Sequence, residues 1–521
     1  MYKSRTRYRK LTLSLLIVGE HKLARAEDII NESLLEEHLE STKAAAKDRN
    51  AVKDILAKAR ERALFKDGEA TDNEYVQGLD VKEAATLLNI DAHDTSAEGQ
   101  KLMHDLFDTA LDIKRQIYGN RIVLFAPLYL ANYCVNSCTY CAFRGANQHI
   151  ERTSLTKEDL VREVEALQKQ GHRRLLLLTG EHPKYTFDHF LDALRTVSEV
   201  KTDPCGNIRR INVEIPALSV SDFRRLKKSN CVGTYTLFQE TYHRGTFKRC
   251  HPTGPKSDYE HRLQTMDRAQ IGGIDDVGIG ALFGLHDYRF EVLAMLQHAH
   301  HLDKTYGTGP HTISVPRMRP ADSAPDAIQP PAPVDDLDFK KLVAVIRCAV
   351  PYTGMILSTR ESAEMRRELL NLGVSQMSAG SKTEVGSYHK GDIKAEHIIK
   401  TAMQKEKLGQ FSLQDERPAE EVVQDLMKMG FLPSWCTACY RLGRTGEAFM
   451  KIAKKGDIQN FCHPNSLLTL NEYLKDYASD DTKKLGEEVI QRERMTISER
   501  ARRALDKKMK KIDEGARDLY F

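Results

Sequence analysis

No apolar run in this chain reaches the roughly 18 residues that a membrane-spanning helix needs, so no membrane partner is expected. Neither sign of charge dominates. Lys and Arg number 78 against 74 Asp and Glu, a formal net charge of +4, which gives no strong field for nucleic acid or acidic lipid and predicts no nucleic-acid partner. Cysteine is too sparse for a disulfide scaffold: ten are spread over 521 residues, unlike the dense framework of a small secreted domain. Six of the ten fall in two tight clusters, which points to metal or redox chemistry in a reducing compartment. The other four, Cys205, Cys231, Cys250 and Cys348, read as buried free thiols behaving as small hydrophobes. The length exceeds the size at which a single core stops growing, so one large domain with additions is expected.

The first cluster is Cys134-X3-Cys138-X2-Cys141, directly after the apolar run 122–130. Three thiolates this close can hold three corners of one iron-sulfur cubane and leave the fourth iron open to a substrate or cofactor. The second is Cys436-X2-Cys439 with Cys462 after 22 further residues and His463 beside it. Spacing alone leaves this set open between a second iron-sulfur cluster and a closed Cys3His zinc site, with a Cys436–Cys439 redox dithiol as a third reading.

Around these motifs the chain organises into six stretches. Residues 1–21 form a basic extension, with Lys3, Arg5, Arg7, Arg9 and Lys10 and no acid before the short apolar run 11–18. It reads as a loose terminus or as an organellar or secretory leader; export suits an oxygen-labile cluster badly, which leaves the cytoplasm or the matrix of an anaerobic organelle, a hydrogenosome or plastid. Residues 22–116 are helical in pattern, including 49–66 and 80–88. From 117 to 380 short apolar runs alternate with amphipathic stretches, predicting strands at 122–130, 174–179, 210–215, 234–240, 276–283, 312–316, 355–359 and 374–378. Crossover helices are expected at 157–170, 187–200, 288–301 and 336–349. Eight such units make an α/β fold of the (β/α)8 barrel type, whose chemistry sits at the carboxyl ends of the strands. The Pro-rich 325–333 is a loop, 381–410 a polar insertion, 411–485 a separate, mainly α domain, and 485–513 a charged helix within a final stretch 486–521.

The three-cysteine loop, with Tyr140 before the third Cys, resembles the radical S-adenosylmethionine (SAM) superfamily. That resemblance implies SAM chelated to the open iron, its amino group hydrogen-bonded by Thr179-Gly180-Glu181, where Thr179 replaces the first Gly of the family's GGE element. Glu240, in the segment after the fourth strand, joins the SAM contacts, and Arg262, or its rival Arg268, pairs with the methionine carboxylate. Taken alone, a Gly-Glu after a strand is a common loop and either arginine an ordinary surface charge. Gly278 and Gly280 within a strand suggest close approach of a ligand or another backbone.

Both cysteine motifs on one chain, with the segments 309–317 and 439–446, resemble the tyrosine lyases of FeFe-hydrogenase maturation over residues 115–485. The resemblance implies that L-tyrosine is cleaved at Cα–Cβ to p-cresol and dehydroglycine, and the latter degraded at an auxiliary 4Fe-4S cluster to carbon monoxide and cyanide for H-cluster assembly. Cys436, Cys439 and Cys462 would hold that cluster, His311 an additional iron, and Arg360 the tyrosine carboxylate. A low-potential donor such as ferredoxin or flavodoxin, and hydrogenase maturation proteins, are the implied partners. The neighbouring family, the thiamine-pathway 2-iminoacetate synthases, shares the barrel and first cluster but lacks the second cysteine motif. A zinc-stabilised binding protein is the alternative from outside enzymology.

Overall fold

A computed structural model describes residues 23–65, 77–392 and 409–521; the basic extension 1–21 and most of the 381–410 insertion lie outside the described residues. The barrel strands are β1 (Arg121–Ala131), β2 (Arg174–Thr179), β3 (Arg210–Glu214), β4 (Val232–Thr236), β5 (Val277–Gly280), β6 (Thr312–Ser314), β7 (Gly354–Leu357) and β8 (Gln376–Ser378). They pair in sequence order, all parallel, and β8 returns to β1 through Val123–Gln376, Leu124–Met377 and Phe125–Ser378, which closes the barrel. Each expected strand is present, most of them shorter than its apolar run. β1 is buried along nearly its whole length, as expected for parallel strands covered on both faces.

The crossover helices Lys157–Lys169, Phe187–Glu199, Tyr288–Tyr306 and Asp336–Ala349 fall where the pattern put them. Their starts are fixed locally; Thr156 Oγ1, for instance, accepts from the Asp159 amide at 3.1 Å. Among the described residues the N-terminal cap comprises Ala26–Ile29, Glu32–Ser41, Arg49–Glu61, Val81–Leu88 and Ala97–Tyr118. A Cβ on Gly278 would lie 2.4 Å from Thr312 Oγ1, and one on Gly280 3.0 Å from the Ser314 carbonyl. The close approach read from these glycines is therefore to the neighbouring strand β6.

Four features depart from the sequence reading. A ninth strand, β9 (Leu432–Ser434), adds to the foot of β1, pairing Arg121 with Leu432 and Val123 with Ser434. It carries Pro433, tolerated because β9 is an edge strand whose missing N–H costs no ladder bond. The chain also returns to the barrel mouth before the C-terminal region begins: the Ser412 amide donates to the Pro320 carbonyl and the Gln414 amide to the Thr359 carbonyl, both at 2.9 Å. Finally, the expected single charged helix is two, Asp480–Arg494 and Glu499–Asp513, the second capped by Ser498. The loop read at 325–333 holds the short helix Pro325–Ile328. No helix among the described residues is long and apolar enough to cross a membrane.

Candidate functional site

Cys134, Cys138 and Cys141 lie in the loop that leaves β1 at the carboxyl end of the barrel. Arg152 fixes this loop: its guanidinium donates to four carbonyls, those of Asn132 (2.7 Å), Phe143 (2.8 Å), Arg144 (2.6 Å) and Asn147 (3.0 Å). Asn136 joins the loop to the next strand by donating to Glu181 Oε2 at 2.7 Å, and the Val135 amide donates to the Glu181 carbonyl at 2.8 Å. Gly180 is required where the loops pass, since a Cβ there would meet the Tyr133 carbonyl oxygen at 2.2 Å. Thr179, Gly180 and Glu181 line one shallow pocket beside Val135. Burial pushes the Cys141 thiol up to about 12, so the thiolate form needs the positive charge of a metal.

Charged side chains of both signs ring the upper barrel. Glu240, in the left-handed region at φ +71°, accepts from Lys256 Nζ at 2.6 Å and lies 3.5 Å from Arg262 Nη2. Burial alone would raise its carboxyl, but Lys256 and Arg262 outweigh this and hold it below the ordinary range. Arg262 also donates Nε to the Phe238 carbonyl at 2.8 Å. Arg268 is engaged elsewhere, donating to the Leu218 carbonyl (2.9 Å) and the His261 carbonyl (2.6 Å). Below lies a cavity of about 100 Å³ whose walls include Phe125, Leu176, Phe238, Glu214 and Arg360. Residues after the insertion roof it: Tyr129 donates to Gln410 Oε1 at 2.8 Å, and the Arg360 guanidinium stacks 3.3 Å from the Phe411 ring centre. Gln410 Nε2 also approaches Cys141 Sγ at 3.7 Å, which ties cavity to cysteine loop.

The second cysteine set occupies the opposite end of the barrel. Cys436 and Cys439 follow β9, and Cys462 enters from the helix Gln459–Asp476. They line a cavity of about 50 Å³ with His311, Arg121, Arg174, Arg210 and Arg444. Arg174 donates to the Cys436 carbonyl at 2.8 Å, and Arg210 is paired with Asp276 at 3.2 Å. The Nε atoms of Arg121, Arg174 and Arg444 and Nδ1 of His311 are buried without a hydrogen-bonding partner. Burial pushes His311 down to about 4, so its ring is neutral and able to ligate. Buried donors around three thiols suit an anionic, metal-bearing group, since orphaned buried polar atoms are otherwise costly. Gln376 lines both cavities.

His463 does not line the cavity of the three cysteines. His463 turns away, its Nε2 at 3.4 Å from the Glu493 carbonyl. Among the described residues the three sulfurs are not all within 4.8 Å of one another, whereas a tetrahedral site with Zn–S near 2.3 Å needs ligands about 3.8 Å apart.

Comparison with known proteins agrees with this arrangement. A radical SAM superfamily model matches residues 128–299, and a Biotin and Thiamin Synthesis associated domain matches residues 314–432. The 2-iminoacetate synthase of Escherichia coli (strain K12) is 33% identical over 347 residues, 66% of this chain and 85% of that protein. A crystal structure of HydG, a maturase of the FeFe-hydrogenase, superimposes with TM-score 0.85 at 46% identity, covering 95% of this chain and all of that one. HydG from Carboxydothermus hydrogenoformans gives TM-score 0.75 at 36% identity over 93% of this chain and all of that one. The chain belongs to the HydG-like radical SAM tyrosine lyases. It is a radical SAM lyase, and membership of that family brings a 4Fe-4S cluster and SAM.

In this radical SAM lyase the structure brings Thr179, Gly180 and Glu181 beside the first cysteine loop, gathers Glu240 and Arg262 at the barrel mouth, and places Arg360 in the cavity below. His311 stands with the second cysteine set. Sequence reasoning missed Arg152, Lys256, Glu214 and the four arginines of the lower cavity. Arg174 and Arg210 each open a barrel strand, and a charge at the start of an apolar run was the one available signal.

Proposed function

We propose that the chain cleaves L-tyrosine to p-cresol and dehydroglycine at the upper end of the barrel and converts dehydroglycine to carbon monoxide and cyanide at the lower end, for assembly of the FeFe-hydrogenase active site. In this reading Cys134, Cys138 and Cys141 hold the first 4Fe-4S cluster, and Cys436, Cys439 and Cys462 the auxiliary one, with His311 on an additional iron. When bound and given an electron from ferredoxin or flavodoxin, the first cluster and SAM supply a 5'-deoxyadenosyl radical.

The residues of the chain bind and orient. Thr179, Gly180 and Glu181 receive the SAM amino group. Arg262 takes its carboxylate, favoured over Arg268 because the Arg268 guanidinium is spent on backbone carbonyls. Glu240 stays ionised between Lys256 and Arg262 and accepts a hydrogen bond from SAM. Arg360 pairs with the tyrosine carboxylate, while Phe125, Leu176 and Phe238 keep water from the ring. At the lower end the buried guanidinium groups of Arg121, Arg174 and Arg444 balance an anionic cluster and its ligands.

The observation that carries the reading is the lower site itself: three cysteines and an unpartnered histidine nitrogen at the foot of the same barrel. The test is capture of carbon monoxide by deoxyhaemoglobin from the anaerobically reconstituted protein given SAM, tyrosine and a low-potential reductant. A carbonyl spectrum is expected. Formation of p-cresol without it would favour the 2-iminoacetate synthase reading, which the match to the E. coli enzyme keeps as the second candidate; loss of both products would overturn the tyrosine assignment.

A further inference from the structure

Two opposite charges face the upper cavity without an ionic partner at hydrogen-bonding distance, although the Arg360 guanidinium stacks on the Phe411 ring. Glu214 ends β3 and Arg360 follows β7, four strands away around an eight-stranded barrel, so the two look across the cavity from opposite walls. Among the described residues neither the Glu214 carboxylate nor the Arg360 guanidinium has a hydrogen-bonding partner. They nevertheless feel each other: Glu214 is opposed by the positive charges of Lys256, Arg262 and Arg360, and Arg360 by the negative charges of Glu240 and Glu214. Every other charge of the ring is already matched, Glu240 to Lys256 and Arg262.

A partly buried carboxylate and guanidinium left apart inside a cavity cost free energy unless a ligand completes both. The complementary ligand carries one positive and one negative group close together, and an α-amino acid is that zwitterion. We propose that the Glu214 carboxylate receives the α-ammonium group of the substrate, across the cavity from Arg360, so that the amino acid is gripped at both charged ends and its ring is directed onto Phe125, Leu176 and Phe238. This rests on the tyrosine reading above and adds the residue that discriminates amino acids from simple arylpropanoates. Burial and the Glu240 charge push the empty site's Glu214 carboxyl up to about 7, which lowers the cost of leaving it unpaired until an ammonium arrives.

The test compares L-tyrosine with 3-(4-hydroxyphenyl)propanoate, which keeps ring and carboxylate but lacks the amino group. With the full-length reconstituted enzyme, the KM for tyrosine in p-cresol formation and the Ki of the propanoate are measured for wild type, Glu214→Gln and Glu214→Asp. A charge-assisted hydrogen bond of this kind predicts a rise of at least about tenfold in the tyrosine KM for Glu214→Gln, with the propanoate Ki and the SAM KM unchanged. Glu214→Asp, which withdraws the charge by one methylene, moves the same ratio in the same direction by less and decides the matter if the Gln variant does not fold. Equal rises for both ligands, an unchanged tyrosine KM, or a rise in the SAM KM instead would overturn the inference while leaving the tyrosine reading intact. A wild type that makes no p-cresol would overturn the reading and this inference with it.

Discussion

The two cysteine sites are built in opposite ways. The upper three sit within one short loop, held by Arg152 and Asn136 from nearby in the chain. The lower three come from two segments that meet only because β9 docks on β1 and the helix Gln459–Asp476 packs behind it. Their surroundings differ as well. The upper site mixes carboxylates and cations, which suits zwitterions such as SAM and an amino acid. The lower site has arginines and a neutral histidine with Asp276 as the acid among them, which suits an anionic group. A local loop brings the first three cysteines together; the second three meet only once the tertiary fold is complete.

The strongest way to break this comparison is to remove one site at a time. Cys134→Ala is expected to abolish SAM cleavage, read as loss of 5'-deoxyadenosine, while Cys436→Ala is expected to keep p-cresol formation and lose carbon monoxide. Equal loss of both products in Cys436→Ala would mean that the lower site is needed for folding rather than for chemistry.

Next in size is the buried ion pair beneath the lower cavity. Asp276 accepts from Arg210 at 3.2 Å and from the Gly446 amide at 3.0 Å. Asp276→Ala leaves a buried guanidinium unpaired and is expected to cost about 3–5 kcal/mol in chemical denaturation, with iron lost from the lower site first.

The pH dependence of stability sharpens the contrast further. Burial holds the folded His311 near 4, below its unfolded value of about 6.5. Between these values the unfolded chain binds a proton that the folded chain refuses. Stability is therefore complete above pH 6.5 and falls by up to roughly 3 kcal/mol as the pH drops to 4. In the metal-free protein His311→Gln is expected to flatten that part of the curve; an unchanged slope would show that the ring is solvated.

The smallest effect is expected at the upper loop. Arg152→Lys keeps the charge but cannot reach four carbonyls at once, and is expected to cost about 1–3 kcal/mol and to lower iron retention by the first cluster alone, measured as iron per chain in a Cys436→Ala background.

What was legible in the sequence follows the same division. The eight barrel strands and the first cysteine loop were readable because their signal is local: apolar runs at regular intervals and a fixed cysteine spacing. β9 was missed because a three-residue strand containing Pro433 has no pattern of its own and exists only as an addition to β1. Gln410 and Phe411 were read as the end of an insertion and the start of another domain, yet they line the upper cavity. The arginines of the lower cavity come from β1, β2, β3 and the segment after Cys439, and no spacing links such distant positions. His311 was singled out through family resemblance, its local sequence being that of an ordinary strand end, and it lines the cavity of the second cysteine set.

β1 touches both sites: its last residues lead into the Cys134 loop and its first are paired to the strand that precedes Cys436. Eleven residues at about 3.3 Å each put its two ends roughly 33 Å apart. At that separation the two cysteine sets are far out of contact, and although Gln376 lines both cavities, substitutions of the cysteines at opposite ends should change stability independently, their free energies adding within a few tenths of a kcal/mol. β1 is thus a spacer that keeps the two cysteine sites energetically private, so communication between them would fall to whatever molecule travels from one end to the other.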